Sequence, residues 1–477
     1  MQVLSVASEI FPLVKTGGLA DVAGALPEAL KAQGVTMISM MPGYPAVMAA
    51  LEKPKQLHTY ANLFGGPAQL LRGLAKGLDM VVLDCPHLFN RSGNPYLGPD
   101  GKDWHDNANR YAALSRAAAD IALGQIKGIT VDVLHLHDWQ AALAAAYVRY
   151  DPSGKPKPKT LMTVHNIAFQ GTYPTAVFAS LGLPPHAYAL DGVEYFGNVS
   201  FLKGGLSSAD AISTVSPTYA HEICTPDFGM GLDGLLRSRR AALSGIVNGI
   251  DTKIWDTQTD PDVPHHYSAS TLDQRRANKR VLEQRLGLDA GDGIIHGVVS
   301  RLTWQKGLDM LAEHVDWLVA SGARIALVGT GEAALEKSFR DAATRHKGMV
   351  GISLKYDEGL SHLVQAGADT MLVPSRFEPC GLTQLYGLRY GCVPIVGRTG
   401  GLADTIIDAN DAAMATGVAT GIQFSPIDAS SLQAALSRTA KIYADPESWA
   451  MIQKSGMAQD VSWDRSARAY LKLYQSL

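Results

Sequence analysis

Short apolar runs alternate with amphipathic stretches from one end of the chain to the other. Runs at 2–7, 35–40, 131–136, 160–164 and 211–214, and again at 294–299, 324–328, 349–353, 370–373 and 393–396, are apolar almost throughout. Strands buried on both faces read this way. Between them 18–33, 106–123, 306–320 and 332–346 place apolar residues at helical spacing. The alternation predicts an α/β chain with doubly wound parallel sheets, each covered by helices on both faces. The region 55–84 breaks the rhythm, with short runs at 57–63, 68–74 and 79–84 separated by Gly-Gly-Pro and Lys-Gly. It reads as an antiparallel extension of the first sheet.

A chain of 477 residues exceeds what one core supports. Ser244-Gly245-Ile246-Val247-Asn248-Gly249-Ile250-Asp251 closes the first αβ series, and a Pro- and Asp-rich stretch at 260–264 and a charged helix at 271–286 follow. The expected organisation is a first α/β domain over 1–247, a second over 248–455 and a terminal helix over 456–477. The last segment carries Trp449, Trp463, Tyr470 and Tyr474 at helical spacings. Periodicity leaves open whether that segment packs on its own domain or on the first.

Hydrophobic residues at 46%, charged residues at 18% and a net charge of −3 describe an ordinary globule, without the basic surface that nucleic acid or an anionic membrane requires. No apolar run is long enough to span a bilayer. The opening residues Met1–Ala7 lack the basic stretch of a signal peptide. Cys85, Cys224, Cys380 and Cys392 show no paired metal spacing. These features suit a reducing cytoplasm.

The most informative chemistry is a repeat. Lys15-Thr16-Gly17-Gly18-Leu19-Ala20-Asp21 returns as Arg398-Thr399-Gly400-Gly401-Leu402-Ala403-Asp404. Each copy joins a cation to a Gly-Gly turn that opens a helix, an arrangement that offers backbone N–H groups and a positive dipole end to an anion. Two copies, one per half, suggest two domains that take one anionic ligand.

In open α/β sheets, ligands sit beyond the carboxyl ends of the strands. His135-Leu136-His137-Asp138-Trp139 ends one strand and Thr163-Val164-His165-Asn166 ends the next. His135 reads as a core or capping histidine, whereas His165-Asn166 reads as functional. In the second half Arg301 and Lys306 leave strand 294–299, and Gly329-Thr330-Gly331-Glu332 leaves strand 324–328. Two cations beside a glycine loop predict a phosphate site, in which each charged hydrogen bond contributes about 1.5–3 kcal/mol. Pro374-Ser375-Arg376-Phe377-Glu378-Pro379-Cys380-Gly381-Leu382-Thr383 opens helix 381–390. Glu378 there is placed to accept sugar hydroxyls or to support a developing positive charge.

Other chemistries lack their signals. No Walker A sequence is present, and no Gly-x-Gly-x-x-Gly follows the first strand. Asp260-Pro261-Asp262, the only Asp-x-Asp of the second half, falls in the Pro-rich linker and reads as a turn. A metal-dependent mechanism and a cofactor are not expected.

These motifs resemble bacterial glycogen synthases and plant starch synthases over nearly the whole chain. The matching runs are Ser8-Glu9, Lys15 to Val22, His137-Asp138-Trp139, Thr163 to Asn166, Val215 to Tyr219, Asn248 to Asp251, Arg301-Leu302-Thr303, Gln305-Lys306-Gly307, Ser375 to Gly381 and Arg398 to Gly401. The Lys-Thr-Gly-Gly-Leu run is specific to that family, while Glu-Pro-Cys-Gly marks the wider group of retaining two-domain glycosyltransferases. The resemblance implies a GT-B architecture, two Rossmann-like domains facing a deep cleft, with a terminal helix crossing back to the first domain. It implies retaining transfer of glucose from ADP-glucose to the nonreducing 4-hydroxyl of an α-1,4-glucan such as glycogen, without a metal.

By the same resemblance, Lys15, Asp138, His165, Arg301, Lys306 and Glu378 are the catalytic residues. The substrate-binding set is Glu9, Gly17, Gly18, Trp139, Asn166, Asn248, Gly329, Tyr356, Cys380, Gly381, Leu382, Thr383, Thr399, Gly400 and Gly401. Arg301 and Lys306 are expected on the distal phosphate and Glu378 on glucose hydroxyls. The His165 carbonyl is expected near the anomeric carbon, its ring on the 6-hydroxyl, and Tyr356 on the adenine. Two positions depart from the family pattern: Glu332 replaces an Asp, and Lys355 replaces a Gly before Tyr356-Asp357-Glu358. A UDP-glucose-dependent sucrose or trehalose-phosphate type synthase, a glucan phosphorylase and a silent glucan-binding protein are the rival readings.

Overall fold

The computed structural model describes residues 1–355 and 357–477. The chain divides into two compact units, Met1–Ile246 with Trp463–Leu477, and Val247–Ser462.

The first unit is built on a nine-stranded sheet. In chain order its strands are β1 (Gln2–Val6), β2 (Thr36–Pro42), β3 (Glu52–Tyr60), β4 (Ala68–Ala75), β5 (Leu78–Asp84), β6 (Val133–His137) and β7 (Lys159–Val164). After a small three-stranded sheet of β8 (Thr172–Pro174), β9 (Glu194–Tyr195) and β10 (Asn198–Ser200), it resumes with β11 (Ala211–Thr214) and β12 (Leu243–Gly245). The strand order is β12-β11-β7-β6-β1-β2-β5-β4-β3. Pairing is parallel from β12 to β5 and antiparallel across β5-β4-β3, so the 55–84 region is the antiparallel extension its broken pattern predicts. The central strands carry almost nothing but buried residues, because helices cover both faces.

The terminal helix Trp463–Gln475 belongs to this unit. Trp463, Ala467, Tyr470 and Tyr474 recur at intervals of four, three and four, one helical stripe. They bury against Val22, Leu26 and Leu30 of the helix Gly18–Lys31 and against Val3 and Val133 of the sheet. Full burial of a large apolar side chain contributes roughly 1.5–3 kcal/mol, so this stripe anchors the end of the chain. The stretch 456–462, expected within the terminal helix, lies instead in the second unit. The helix Pro446–Met457 ends there, and the Ile250 N–H donates to the Val461 carbonyl at 2.9 Å.

The second unit holds a six-stranded parallel sheet of β13 (Ile295–Val299), β14 (Arg324–Val328), β15 (Val350–Ser353), β16 (Thr370–Val373), β17 (Val393–Gly397) and β18 (Ile422–Phe424), in the order β15-β14-β13-β16-β17-β18. Two apolar clusters contain residues of this sheet, one including Leu311, Phe339 and Leu436, the other Leu282, Val364 and Leu388.

Candidate functional site

In the first unit the strand ends β6 and β7 and the loop after β1 gather the predicted polar residues. Asp138 follows β6 directly and adopts φ +55°, a left-handed conformation that Asp tolerates better than most residues. That turn aims its carboxylate at the next strand end, where Oδ1 accepts the His165 N–H at 2.6 Å and the Asn166 N–H also contributes. Burial pushes the Asp138 carboxyl up to about 7, against the lowering effect of those two donors, and the Glu9 charge adds to the rise. His165 is 9% exposed and sits behind this turn, its Nε2 3.0 Å from His137 Nδ1. Asn166 Oδ1 accepts the Ala168 N–H at 3.0 Å, which fixes the loop.

Trp139 was expected against substrate. The structure buries its ring among Tyr111 at 4.9 Å, Tyr173 at 6.2 Å and Phe201 at 6.3 Å, so it packs the wall behind the site rather than forming its surface. Glu9 is likewise committed. It accepts the N–H groups of Thr16 and Gly17, the Thr16 hydroxyl at 2.9 Å and the Tyr96 hydroxyl at 2.9 Å. Its carboxylate holds the Lys15-Thr16-Gly17 loop in shape. Lys15 is exposed but paired with Asp21 at 2.7 Å, and it lies 5.2 Å from the Phe11 ring centre. Gly17 caps the helix Gly18–Lys31, and a Cβ on either Gly17 or Gly18 would meet open space. The first copy of the repeat therefore presents an accessible helix N-terminus.

The second copy differs. A Cβ on Gly400 would collide with the Glu378 carbonyl oxygen, and one on Gly401 with that of Cys380. The Gly401 N–H is taken up by the carbonyls of Glu378 and Pro379 at 3.2 and 3.1 Å, and Thr399 is buried. In this copy the glycines let the backbone close onto 378–380. Arg398 is exposed.

In the second unit Lys306 Nζ pairs with Glu378 Oε2 at 2.5 Å, and the Ser375 hydroxyl donates to the same oxygen at 2.9 Å. Lys306, Ser375, Glu378, Gly381, Leu382 and Thr383 line part of a cavity of about 50 Å³. Arg301 is exposed and has no ion pair among the described residues. Its loop is held from below: the Leu302 N–H donates to the Thr330 carbonyl at 2.9 Å, the Trp304 N–H to Glu332 Oε1 at 3.1 Å. Gly329 sits where a Cβ would strike the Ser300 carbonyl, so the glycine loop serves this approach. Glu332, longer than the family's Asp, reaches across to cap the cation loop. Burial pushes the Cys380 thiol up to about 12, and the Asn248 N–H counters it from beside the sulfur. Asn248 Oδ1 is buried without a partner. Tyr356, expected on the adenine, lies outside the described residues.

Asp260 is not the simple linker turn its position suggests. It is buried, and it accepts from His362 Nδ1 at 2.6 Å, from the Asp262 N–H at 2.9 Å and from the Tyr390 hydroxyl. Asp260, Asp262 and His362 lie at metal-like spacing, but Trp255 stacks on the His362 ring at 3.8 Å and both Asp260 oxygens already serve the fold. Tyr96 and Ser5 carry no sequence signal, and Ser375 stands in a polar cluster without a role of its own, because what each does depends on neighbours 3 to 132 positions away.

Residues 2–238 match the starch synthase catalytic domain family, and residues 282–455 match the glycosyl transferases group 1 family. The chain is 57% identical over 478 residues to a glycogen synthase of Mesorhizobium japonicum, covering 100% of this chain and 99% of the relative. It is 55% identical over 475 residues to a glycogen synthase of Rhodopseudomonas palustris, covering 99% and 98%. Among solved structures, the catalytic domain of starch synthase IV from Arabidopsis thaliana, bound to ADP and acarbose, superposes with a TM-score of 0.88 at 31% identity, covering 99% of this chain and 98% of that one. A sucrose-phosphate synthase from Thermosynechococcus elongatus, at 16% identity and a TM-score of 0.59 over 100% and 98% of the chains, shares the fold. That fold is GT-B.

Proposed function

Because the chain belongs to the glycogen and starch synthase family, and is thereby a retaining glucosyltransferase that extends an α-1,4-glucan, we propose that it draws glucose from ADP-glucose and adds it to the nonreducing 4-hydroxyl. The observation that carries the site assignment is Lys306, which Glu378 holds at a small cavity, with Arg301 exposed five residues earlier and without an ion pair among the described residues. Support for the adenine nucleotide comes from the ADP in the plant starch synthase.

In this reading Arg301 and Lys306 bind the distal phosphate, and Lys15 exchanges Asp21 for the donor's phosphates or sugar. Glu378 accepts glucose hydroxyls, and the His165 carbonyl faces the anomeric carbon with its ring on the 6-hydroxyl. The bond from C1 to the phosphate oxygen breaks, and the acceptor O4–C1 bond forms on the same face. The acceptor proton passes to the departing phosphate, so ADP leaves and configuration is retained. The cations supply charge where it develops, the largest single contribution in such chemistry. Asp138 orients sugar or acceptor; its carboxylate is turned onto the N–H groups of His165 and Asn166. Trapping a covalent glucosyl-enzyme in a slowed variant would instead favour double displacement. The reaction needs no metal in this reading, and the proposed compartment is the cytoplasm. Among the described residues no helix is long and apolar enough to cross a membrane.

The test is incorporation of labelled glucose into glycogen from ADP-glucose and UDP-glucose in parallel, with EDTA present. Transfer from ADP-glucose that survives EDTA supports donor and metal-free chemistry together. Glucan binding without transfer from either donor would favour a silent binding protein.

A further inference from the structure

Three strands of the first unit place a row of polar side chains under the His165 turn. Ser5 on β1 lies 3.1 Å from His137 Nε2 on β6, and His137 Nδ1 lies 3.0 Å from His165 Nε2 beyond β7. A second row runs beside it, from the Tyr474 hydroxyl to His135 Nδ1 at 2.8 Å, His135 Nε2 to Thr163 Oγ1 at 2.6 Å, and Thr163 to Ser213 at 2.6 Å. The His135 and His137 rings lie 4.1 Å apart, so the second row supports the first from the side of the terminal helix.

The first row has a polarity that can be derived. A neutral imidazole carries one N–H and one bare nitrogen. Burial drives the basicity of all three rings down, that of His137 to about 3, so each is neutral. Ser5 is buried, and among the described residues its hydroxyl has no acceptor but His137 Nε2. The Ser5 proton therefore points to Nε2. His137 must then hold its own proton on Nδ1 and donate it to His165 Nε2. The reverse polarity would leave the buried Ser5 O–H without an acceptor, the arrangement that folded proteins avoid. His165 is the one residue of the three with exposed surface, 9% against 0% for His135 and His137, and its Nδ1 has no partner among the described residues.

We propose that Ser5 and His137 are positioning residues that lock the proton of His165 on Nδ1, so that its ring offers the donor sugar a hydrogen-bond donor rather than an acceptor. The sugar contact rests on the function proposed above; the relay itself rests only on the geometry of the first unit. Which nitrogen carries the proton is directly measurable.

The experiment is imidazole-15N NMR on the full chain, with the His165 signals assigned by their loss in His165→Gln, together with kinetics on ADP-glucose and its 6-deoxyglucose analogue. The expected result is a protonated Nδ1 and a bare Nε2 on His165, with a second tautomer emerging in Ser5→Ala. Ser5→Ala should lower kcat on ADP-glucose about tenfold with little change in KM, the scale of one positioning bond. On the 6-deoxy donor the variant and the unaltered chain should run at the same rate. His137→Asn, which keeps an N–H on the side of Nδ1, should retain more activity than His137→Leu. A proton on His165 Nε2, or a tautomer indifferent to Ser5→Ala, overturns the relay. The predicted tautomers combined with equal losses on both donors keep the relay and overturn its placement against the donor sugar.

Discussion

Lys306 and Glu378 form an ion pair of 2.5 Å that the Ser375 hydroxyl braces from the carboxylate side. The two residues proposed for opposite tasks, one on phosphate and one on sugar, thus hold each other in place. With Lys306 on the donor phosphate as proposed, an arriving diphosphate would compete with Glu378 for the same ammonium. Arg301, five residues before Lys306 and without an ion pair among the described residues, has no such competitor to displace.

This arrangement predicts unequal costs among the cations of the second unit. Removing one preorganised charge donor from such a site costs about 10²–10³ in kcat. Lys306→Ala and Arg301→Ala are each expected to fall in that range on ADP-glucose. Lys355→Ala removes an exposed lysine and should stay within about twofold, the scale of ordinary surface changes. Steady-state rates on the three variants decide the matter, and equal losses would place the phosphate site elsewhere.

Glu9 predicts a different kind of loss. It receives four donors, the N–H groups of Thr16 and Gly17 and the hydroxyls of Thr16 and Tyr96. Hydrogen bonds to a charged group contribute about 1.5–3 kcal/mol each. Glu9→Gln turns one acceptor oxygen into an NH₂ facing donors. Amide exchange at 14–18 should accelerate and kcat fall, while Tyr96→Phe, which removes one bond of the four, should show a smaller change of both. Unchanged exchange in Glu9→Gln would mean that the loop is held by something else.

The alternation of apolar runs and amphipathic stretches was enough to place the strands of both parallel sheets to within a few residues, because burial on both faces leaves a continuous apolar run. It was not enough for β12 and β18, edge strands of three residues each, too short for any period to register. Charged and glycine positions pointed to the site, but their division of labour did not follow from residue type. Trp139 and Glu9 look like ligand contacts in the sequence and are fully engaged with their own unit, by packing and by hydrogen bonds. Lys15 and Arg398 look alike, yet among the described residues Lys15 pairs with Asp21, the seventh residue of its motif, while Arg398 has no ion pair. Those distinctions arise from tertiary neighbours, which a local motif does not encode.

The two copies of the Gly-Gly motif can be separated by one methyl group each. A Cβ on Gly17 meets nothing within 4 Å, and the residue's φ of −155° suits any amino acid. Gly17→Ala should therefore fold normally and lose activity, because the methyl crowds the open helix N-terminus. On Gly401 the Cβ strikes the Cys380 carbonyl, a backbone atom that cannot swing away. Gly401→Ala should destabilise the second unit by about 1–3 kcal/mol, the cost of overpacking. Thermal unfolding beside activity separates the cases; a destabilised Gly17→Ala with a normally stable Gly401→Ala would reverse the assignment.

Asp138 makes stability depend on pH. Its carboxyl is pushed up to about 7 by burial, above the ordinary unfolded value near 3.9. The native state therefore binds this proton more tightly than the unfolded chain does. Its contribution is full below about pH 4 and is lost as pH rises through about 7, at close to 1.4 kcal/mol per pH unit in between. Asp138→Asn keeps a residue that accepts the φ of +55° and removes the titration. Between pH 5 and pH 8 the unaltered chain should lose about 2.6 kcal/mol relative to the Asn variant. The readout is denaturant unfolding of the first unit at both pH values. A gap that stays constant over the range would show that the Asp138 carboxylate is as comfortable in the fold as in water, with the His165 and Asn166 N–H donors offsetting its burial in full.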